Sequence, residues 1–148
     1  MTSYVHSQQS PLRTSVPVAV LALIVVVAVF SDGGVRVVGI VLIAGSLVAI
    51  LALTLGRLTV EVRGDHVRVA FGAGWPAKSI DFDEIASVAS VRNRWWYGLG
   101  IRWIPGGWLW NVWGLDAVEL RLTSGRKFRI GTDEPEALLV ALPALPAG

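Results

Sequence analysis

The sequence predicts an α+β membrane protein in which a two-helix transmembrane hairpin precedes a small antiparallel β domain with a C-terminal helix. Three observations carry this prediction. Two long apolar runs lie near the N-terminus, apolar residues alternate with polar residues after Arg57, and leucines repeat at helical spacing near the C-terminus. The chain has 148 residues, of which 53% are hydrophobic and 16% are charged. Soluble domains average about 25% charged residues, so the composition independently favours a membrane protein.

The two apolar runs are typical of transmembrane helices. Val16 to Phe30 contains no polar side chain, and Val37 to Leu55 is interrupted only by small residues. A helix satisfies its own backbone hydrogen bonds in hydrocarbon, and about 20 residues cross a bilayer core. The two runs are separated by Ser31–Gly34, whose residue types disfavour a continuous helix. We therefore predict two spans, 15–31 and 36–56, within one hairpin.

The arginines that flank the two runs predict the orientation of the hairpin. Arg13 precedes the first run, Arg57 and Arg63 follow the second, and the tip carries one acid and one arginine that nearly cancel. Cytoplasmic segments carry the excess of Lys and Arg. We expect an integral protein of the inner or plasma membrane with both termini in the cytoplasm. The rival interpretation is a cleaved signal peptide, which the lack of a small-x-small site after Phe30 disfavours.

The rest of the chain divides into a polar tail and one small domain. Residues 1–14 are rich in Ser and Gln without periodicity, which predicts a disordered tail. In residues 57–148, alternating segments separated by breakers such as Gly64-Asp65 predict about seven short antiparallel strands. Asp133 and Glu136 are spaced like a helix cap, so the apolar stripe that follows them should form a helix that closes the sheet. The stripe consists of Leu138, Ala141, Leu142 and Leu145.

Four segments after the apolar hairpin carry a resemblance to a known group of proteins. They are Leu58–Val60, Ile80–Val88, the glycine- and tryptophan-rich Gly100–Trp108, and Phe128–Leu138. In this order they resemble the bacterial membrane proteins with a pleckstrin-homology-like (PH-like) domain. The resemblance covers residues 20 to 142 and implies a split β-barrel capped by the C-terminal helix. That group offers no catalytic motif to transfer to this chain.

Tryptophan and arginine are concentrated in one stretch of the predicted domain. Six of the seven tryptophans lie within residues 92–114, with three arginines interleaved and no acid. Tryptophan favours the headgroup level of a bilayer, and arginine binds lipid phosphate through paired hydrogen bonds. Trp95 and Trp96 are consecutive, so a strand cannot bury both on one face. We therefore predict a membrane- or partner-binding site formed by Arg92, Arg94, Trp95, Trp96 and Arg102.

The other tryptophans of this stretch have a structural alternative. A small sheet domain needs large apolar side chains in its core. Alternation along the predicted strands favours a core position for Trp103, or for the side chains on one of the two faces of the following strand. The first face carries Trp108 and Trp110, and the second carries Leu109 and Trp113.

The sequence lacks the side-chain combinations of an enzyme or a metal site. There is no cysteine, and neither His6 nor His66 has a partner at catalytic spacing. Asp81, Asp83 and Glu84 are followed by no further ligand. We therefore expect no catalytic residue, cofactor or metal. We also expect no nucleic-acid partner, because three arginines on a chain tied to a membrane form only a weak nucleic-acid surface.

The predicted function is that of a non-enzymatic membrane protein. Its cytoplasmic domain binds anionic lipid headgroups or another membrane protein. The alternative is a homo-oligomeric structural or assembly subunit that associates with itself through the tryptophan-bearing strands.

Overall fold

The fold consists of a long helical hairpin, two β-sheets and a short C-terminal helix. The computed structural model describes residues 4–30 and 34–142. The helices are α1 (Leu12–Phe30), α2 (Gly34–Leu55) and α3 (Pro135–Ala141). The strands are β1 (Tyr4–Gln9), β2 (Arg57–Arg63), β3 (His66–Phe71), β4 (Ala77–Asp81), β5 (Ile85–Arg92), β6 (Gly100–Ile104), β7 (Gly107–Asn111), β8 (Asp116–Leu122) and β9 (Lys127–Gly131). The predicted α+β class, with two long apolar helices near the N-terminus and a C-terminal helix after the last strand, is confirmed.

The two long helices pack against each other as a hairpin. They contain 19 and 22 residues, which corresponds to about 29 and 33 Å of helix. Both are long and apolar enough to cross a membrane, and their apolar windows are not buried inside the protein. Gly45 allows a close approach, because a Cβ there would lie 2.8 Å from Val20 Cγ1. α1 begins before the predicted span, where Ser10 Oγ accepts the Leu12 N–H at 3.2 Å.

The segment before the hairpin is a strand. β1 pairs antiparallel with β2 along its length, from Tyr4 opposite Val62 to Gln9 opposite Arg57. The prediction of a disordered tail over 1–14 is therefore wrong from Tyr4 onwards, and its residues 1–3 lie outside the described residues. A short polar strand carries no strong local signal, because its partner comes from beyond the hairpin. The hairpin is thus inserted between two neighbouring strands of one sheet.

The strands form two sheets of unequal size. The first has the order β1-β2-β3-β4, and the second has the order β5-β8-β9-β7-β6. The predicted turn at Gly64-Asp65 joins β2 to β3, with Gly64 at a φ of 53°. The sequence predicted about seven antiparallel strands after the hairpin, whereas the described residues 57–142 form eight, and one pair, β7 with β9, is parallel. This parallel pair requires a close approach, since a Cβ at Gly107 would collide with the Lys127 carbonyl group.

One hydrophobic cluster joins both sheets and α3. Trp110 lies at its centre, with ring centroids 5.3 Å from Phe71 and 5.6 Å from Phe128. Leu138 and Leu142 of the predicted helical stripe are buried in the same cluster. Leu145, the last member of that stripe, lies outside the described residues.

The start of α3 differs from the predicted cap. Glu134 precedes the first helical residue and makes no side-chain cap. The Asp133 carboxylate instead lies 2.7 Å from His6 Nε2 on β1, and Thr132 Oγ1 accepts the Glu134 N–H at 3.1 Å. The predicted cap is wrong because the Asp133 side chain contacts His6 on β1 instead of the helix backbone. The local sequence did not reveal that β1 is a strand.

The two ends of the sheet domain have different surroundings. At the end that we call the hairpin end, the helices leave between Gln9 and Arg57. Loop 72–76 is at this end too, because a Cβ at Gly72 would lie 2.8 Å from the Thr54 carbonyl oxygen. The opposite end, which we call the far end, carries the turns at residues 64–65, 105–106 and 123–126.

Candidate functional site

An apolar groove separates the hairpin from the second sheet. Its volume is about 310 Å³, and it is lined on the helix side by residues that include Val16 and Val48. Leu99, Gly100 and Val112 line its other side. Val48 precedes the end of α2 by seven residues, which is about 10 Å of helix. Leu99 and Gly100 therefore lie alongside the last two turns of α2.

Four exposed tryptophans lie in loops at the hairpin end. Trp75 is in loop 72–76, Trp95 and Trp96 are in loop 93–99, and Trp113 is in loop 112–115. Their exposed fractions are 78%, 77%, 56% and 44%. Sequence reasoning grouped only Trp95 and Trp96 as exposed. Trp75 was missed because it lies outside the tryptophan-rich stretch, although its position between Gly74 and Pro76 was a signal for an exposed loop.

Loop 93–99 has a firmly held base. The Asn93 N–H donates to the Leu115 carbonyl at 2.7 Å, and Asn93 Oδ1 accepts a hydrogen bond from Arg129 Nη1 at 3.1 Å. The Arg129 guanidinium also lies over the Tyr97 ring, 6.0 Å from its centroid. The loop is therefore attached to the outer face of the second sheet at both of its ends.

A buried ion cluster fixes Arg129 in that position. Glu119 is buried, and its carboxylate lies 2.7 Å from Arg129 Nε and 3.5 Å from Lys127 Nζ. Burial alone would raise the pKa of Glu119, but the hydrogen bond and charge of Arg129, with those of Lys127, hold the pKa below its usual range. The chain of contacts from Glu119 through Arg129 to Asn93 makes this a structural cluster that supports the loop.

The tip of the loop presents an aromatic and cationic surface. Residues Trp95–Tyr97 form one turn of 3₁₀ helix that ends at Gly98, whose φ is 72°. The Trp95 and Trp96 rings meet edge to face, with centroids 5.7 Å apart. The Arg94 guanidinium stacks over Trp96 at 5.1 Å from the ring centroid. The stacked arginine keeps its outer N–H groups free for an anion, while the indoles remain exposed.

The two remaining predicted arginines lie at the edges of the same loop. Arg102 is three residues beyond Leu99 in the chain, yet its Nε donates to the Leu99 carbonyl at 3.0 Å. Arg92 is at the end of β5, with Nη1 3.9 Å from the Asp116 carboxylate. The fold thus brings Arg102 into contact with loop 93–99. It also places Arg92 beside Asp116, an acid that lies outside the tryptophan-rich residues 92–114.

The prediction that Trp103 fills the core is wrong. Trp103 is 69% exposed on the edge strand β6 and lies opposite Trp108, which is 48% exposed. Both are at the far end, and β6 is the outermost strand of the second sheet in the described part of the chain. Trp110 is the core tryptophan. Leu109 is also buried, on the opposite face of β7, so both faces of that strand are covered there.

The residues considered for metal or acid–base chemistry make only small local contacts, such as that of His6 with Asp133 and Glu134. Within residues 4–30 and 34–142, no group of three or more His, Asp or Glu is placed to hold a metal ion. Asp81, Asp83 and Glu84 are exposed around the end of β4. His66 lies 3.0 Å from the neighbouring Asp65 carboxylate.

Comparison with known proteins adds no family to these observations. No protein-family model matches the chain, and no curated protein matches it. The function is therefore argued from the geometry of the hairpin end.

Proposed function

We propose that this chain is a non-enzymatic integral membrane protein with two transmembrane helices and a cytoplasmic PH-like domain that contacts anionic lipid headgroups. The observation that carries the proposal is loop 93–99. There, exposed Trp95 and Trp96 and the stacked Arg94 lie next to residues that line a groove with α1 and α2. The PH-like assignment is supported by two sheets around one core with a C-terminal helix packed against them.

The dimensions of the hairpin support contact with the headgroup layer. α2 has 22 residues and a length of about 33 Å, against a hydrocarbon core of about 30 Å. The excess of about 3 Å would place the end of the helix at the boundary of the interfacial region. Leu99 lies alongside the last turns of α2, and Trp95 and Trp96 precede it by only a few residues. The indoles are thus within reach of the depth that tryptophan favours.

The charges of the loop support an anionic surface as its partner. A basic residue near an anionic membrane contributes about 1 kcal/mol. Among the described residues, neither Arg94 nor Arg102 has a carboxylate within 4.0 Å, whereas Arg92 shares Asp116. We therefore expect about 2 kcal/mol from Arg94 and Arg102 together, a contribution that salt weakens.

The pairing of Gln9 with Arg57 supports the proposed topology. Both ends of the hairpin meet inside one sheet, so both helices must leave the domain on the same side of the membrane. Arg13 and Arg57 at this end, with Arg63 at the other end of β2, favour the cytoplasm. Reporter fusions at the N- and C-termini should both give cytoplasmic signals. A signal from the opposite side of the membrane at the C-terminus would contradict the topology.

Fluorescence quenching in reconstituted vesicles tests the headgroup contact. The full-length protein is required, because β1 completes the first sheet from ahead of the hairpin. In vesicles of phosphatidylcholine and phosphatidylglycerol, a nitroxide on the headgroup should quench part of the tryptophan emission. The double variant Trp95→Phe/Trp96→Phe should lose a clear part of this quenched component, while Trp75 and Trp113 at the same end account for the remainder.

The matched control is the double variant Trp103→Phe/Trp108→Phe, which removes two exposed indoles from the far end. It should retain the quenched component. The proposal is wrong if the quenched component is unchanged by the loop variant or is lost in the far-end variant. A discrete oligomer in which Trp95 and Trp96 are shielded from aqueous acrylamide would instead support the alternative of self-association.

A further inference from the structure

A polar groove lies on the outer face of the first sheet and extends to the hairpin end. Its volume is about 310 Å³, and we call it the arginine groove. Arg57, Thr59 and Glu61 of β2 and Arg68 of β3 line it, together with loop residues 72–74. The β2 residues alternate with buried ones along the strand, so they face away from the core.

Neither arginine of the groove forms an ion pair within the described residues, although Glu61 lies opposite Arg68 in the β2–β3 register. Among the described residues, no carboxylate oxygen lies within 4.0 Å of either guanidinium. The groove does contain the Glu61 carboxylate, but this lies 3.1 Å from Arg63 Nη2, which offsets its charge. The groove is therefore electropositive on balance.

Hydrogen bonds orient both guanidinium groups. Arg57 Nε donates to Ser7 Oγ on β1 at 2.6 Å, and Arg68 Nη2 lies 3.5 Å from the Gly74 carbonyl oxygen. Both arginines are partly buried. A guanidinium has five N–H donors, so most of the donors on each arginine are left for a ligand. Part of the ordering cost of binding is thus already met in the fold.

The arginine groove opens beside the foot of the second long helix. Arg57 follows Leu55, the last residue of α2, by two positions. Loop 72–76 packs against the last turn of that helix through Gly72 and Thr54. A ligand in the groove would therefore lie at the level of the helix end, close to where a lipid phosphate would be.

We propose that the arginine groove binds a phosphate-bearing anion, with Arg57 and Arg68 as the phosphate ligands. Planar guanidinium groups match phosphate oxygens with paired, charge-assisted hydrogen bonds. A phosphate monoester, which carries up to two negative charges and no covering cation, fits this site better than a zwitterionic headgroup. The assignment of a lipid as the source of the phosphate rests on the proposed membrane topology, whereas the phosphate chemistry does not.

Native mass spectrometry of the full-length protein in a neutral detergent tests the proposal. The probes are phosphatidic acid and phosphatidylcholine with identical acyl chains, added separately. The wild-type protein should retain one phosphatidic acid in preference to phosphatidylcholine. The double variant Arg57→Gln/Arg68→Gln should weaken the retention of phosphatidic acid by about tenfold or more, as expected for the loss of two charge-assisted contacts.

Two further variants make the result interpretable. Arg126→Gln removes an exposed arginine at the far end and should leave binding unchanged. Arg68→Lys keeps the charge without the planar fork and should give intermediate binding in a folded protein. The groove assignment is overturned if the double variant retains phosphatidic acid like the wild type, or if Arg126→Gln weakens binding as strongly as the double variant does.

Competition with inorganic phosphate identifies the source of the anion. Displacement of phosphatidic acid by millimolar phosphate would assign the groove to soluble phosphate compounds. Persistence of the bound lipid would assign it to phospholipids. The Trp95→Phe/Trp96→Phe variant should bind phosphatidic acid like the wild type. Failure of the groove therefore appears in mass spectrometry, and failure of the headgroup-contact proposal appears in the quenching experiment.

Discussion

Replacing Leu138 by alanine should strongly destabilise the sheet domain. The Leu138 side chain is fully buried and packs into the cluster that joins both sheets to α3. Truncating a buried leucine to alanine leaves a cavity and costs about 2 to 5 kcal/mol. The whole free energy of unfolding of a domain is about 5 to 15 kcal/mol. The substitution should therefore remove a large part of the stability of the domain.

Thermal unfolding of the full-length protein in detergent, followed by tryptophan emission, measures this effect. Trp110 is a suitable reporter because it is buried between Phe71 and Phe128. A loss of 1 kcal/mol lowers the midpoint of a domain of this size by about 4 to 8 °C. Leu138→Ala should therefore lower the midpoint by at least about 8 °C.

Val140→Ala is the matched control on the same helix. Val140 is 86% exposed, and surface substitutions usually change stability by less than about 0.5 kcal/mol. Its midpoint should stay within about 4 °C of the wild-type value. If both substitutions lower the midpoint equally, α3 is not docked through Leu138 and the account of the core is refuted.

Three further changes test the core, the ion cluster and the inserted hairpin. Trp110→Ala should cost about 3 to 5 kcal/mol through a core cavity, whereas Trp103→Ala should change the stability little; because the first variant removes the Trp110 reporter, both are melted by circular dichroism, and equal effects would contradict their assignment. The folded-state pKa of Glu119 is lowered, so its stabilisation is complete above its unfolded pKa of about 4.3 and is lost as the pH falls below that value. As the pH is lowered, the thermal midpoint of the wild type should accordingly fall more steeply than that of Glu119→Gln. If the two midpoints fall in parallel with pH, Glu119 does not stabilise the domain through this cluster. Deleting residues 1–9 should lower the midpoint by exposing the edge of β2; an unchanged curve would mean that β1 does not pair in solution.

The exposure of some tryptophans could be predicted from the sequence, and that of others could not. The consecutive pair Trp95 and Trp96 was correctly predicted to be exposed, because neighbours in a chain cannot share one strand face. Trp103 and Trp110 have similar sequence contexts, and alternation alone did not separate them. Their fates differ because Phe71 of the first sheet packs on Trp110, whereas no strand lies beyond Trp103 on the edge of the second sheet.

The arginine groove was beyond the reach of sequence reasoning for a related reason. Arg57 was interpreted as a topology signal, and no local pattern linked it to Arg68. Their common groove depends on the β2–β3 register, on the β1 hydroxyl of Ser7 and on the loop at Gly74. None of these contacts has a local sequence signature.

The sequence by itself determined the elements whose signals are local. The apolar runs specify the two long helices, period-two alternation specifies most strands, and the leucine stripe specifies α3, because each pattern follows from the geometry of one element. Tertiary structure alone decided the role of β1, the parallel pairing of β7 with β9 and which of Trp103 and Trp110 is buried. These features depend on partners that are distant in the chain, such as Arg57 opposite Gln9 across the whole hairpin. Local propensity cannot encode such a partner, since the pairing is stabilised only once the complete sheet has assembled.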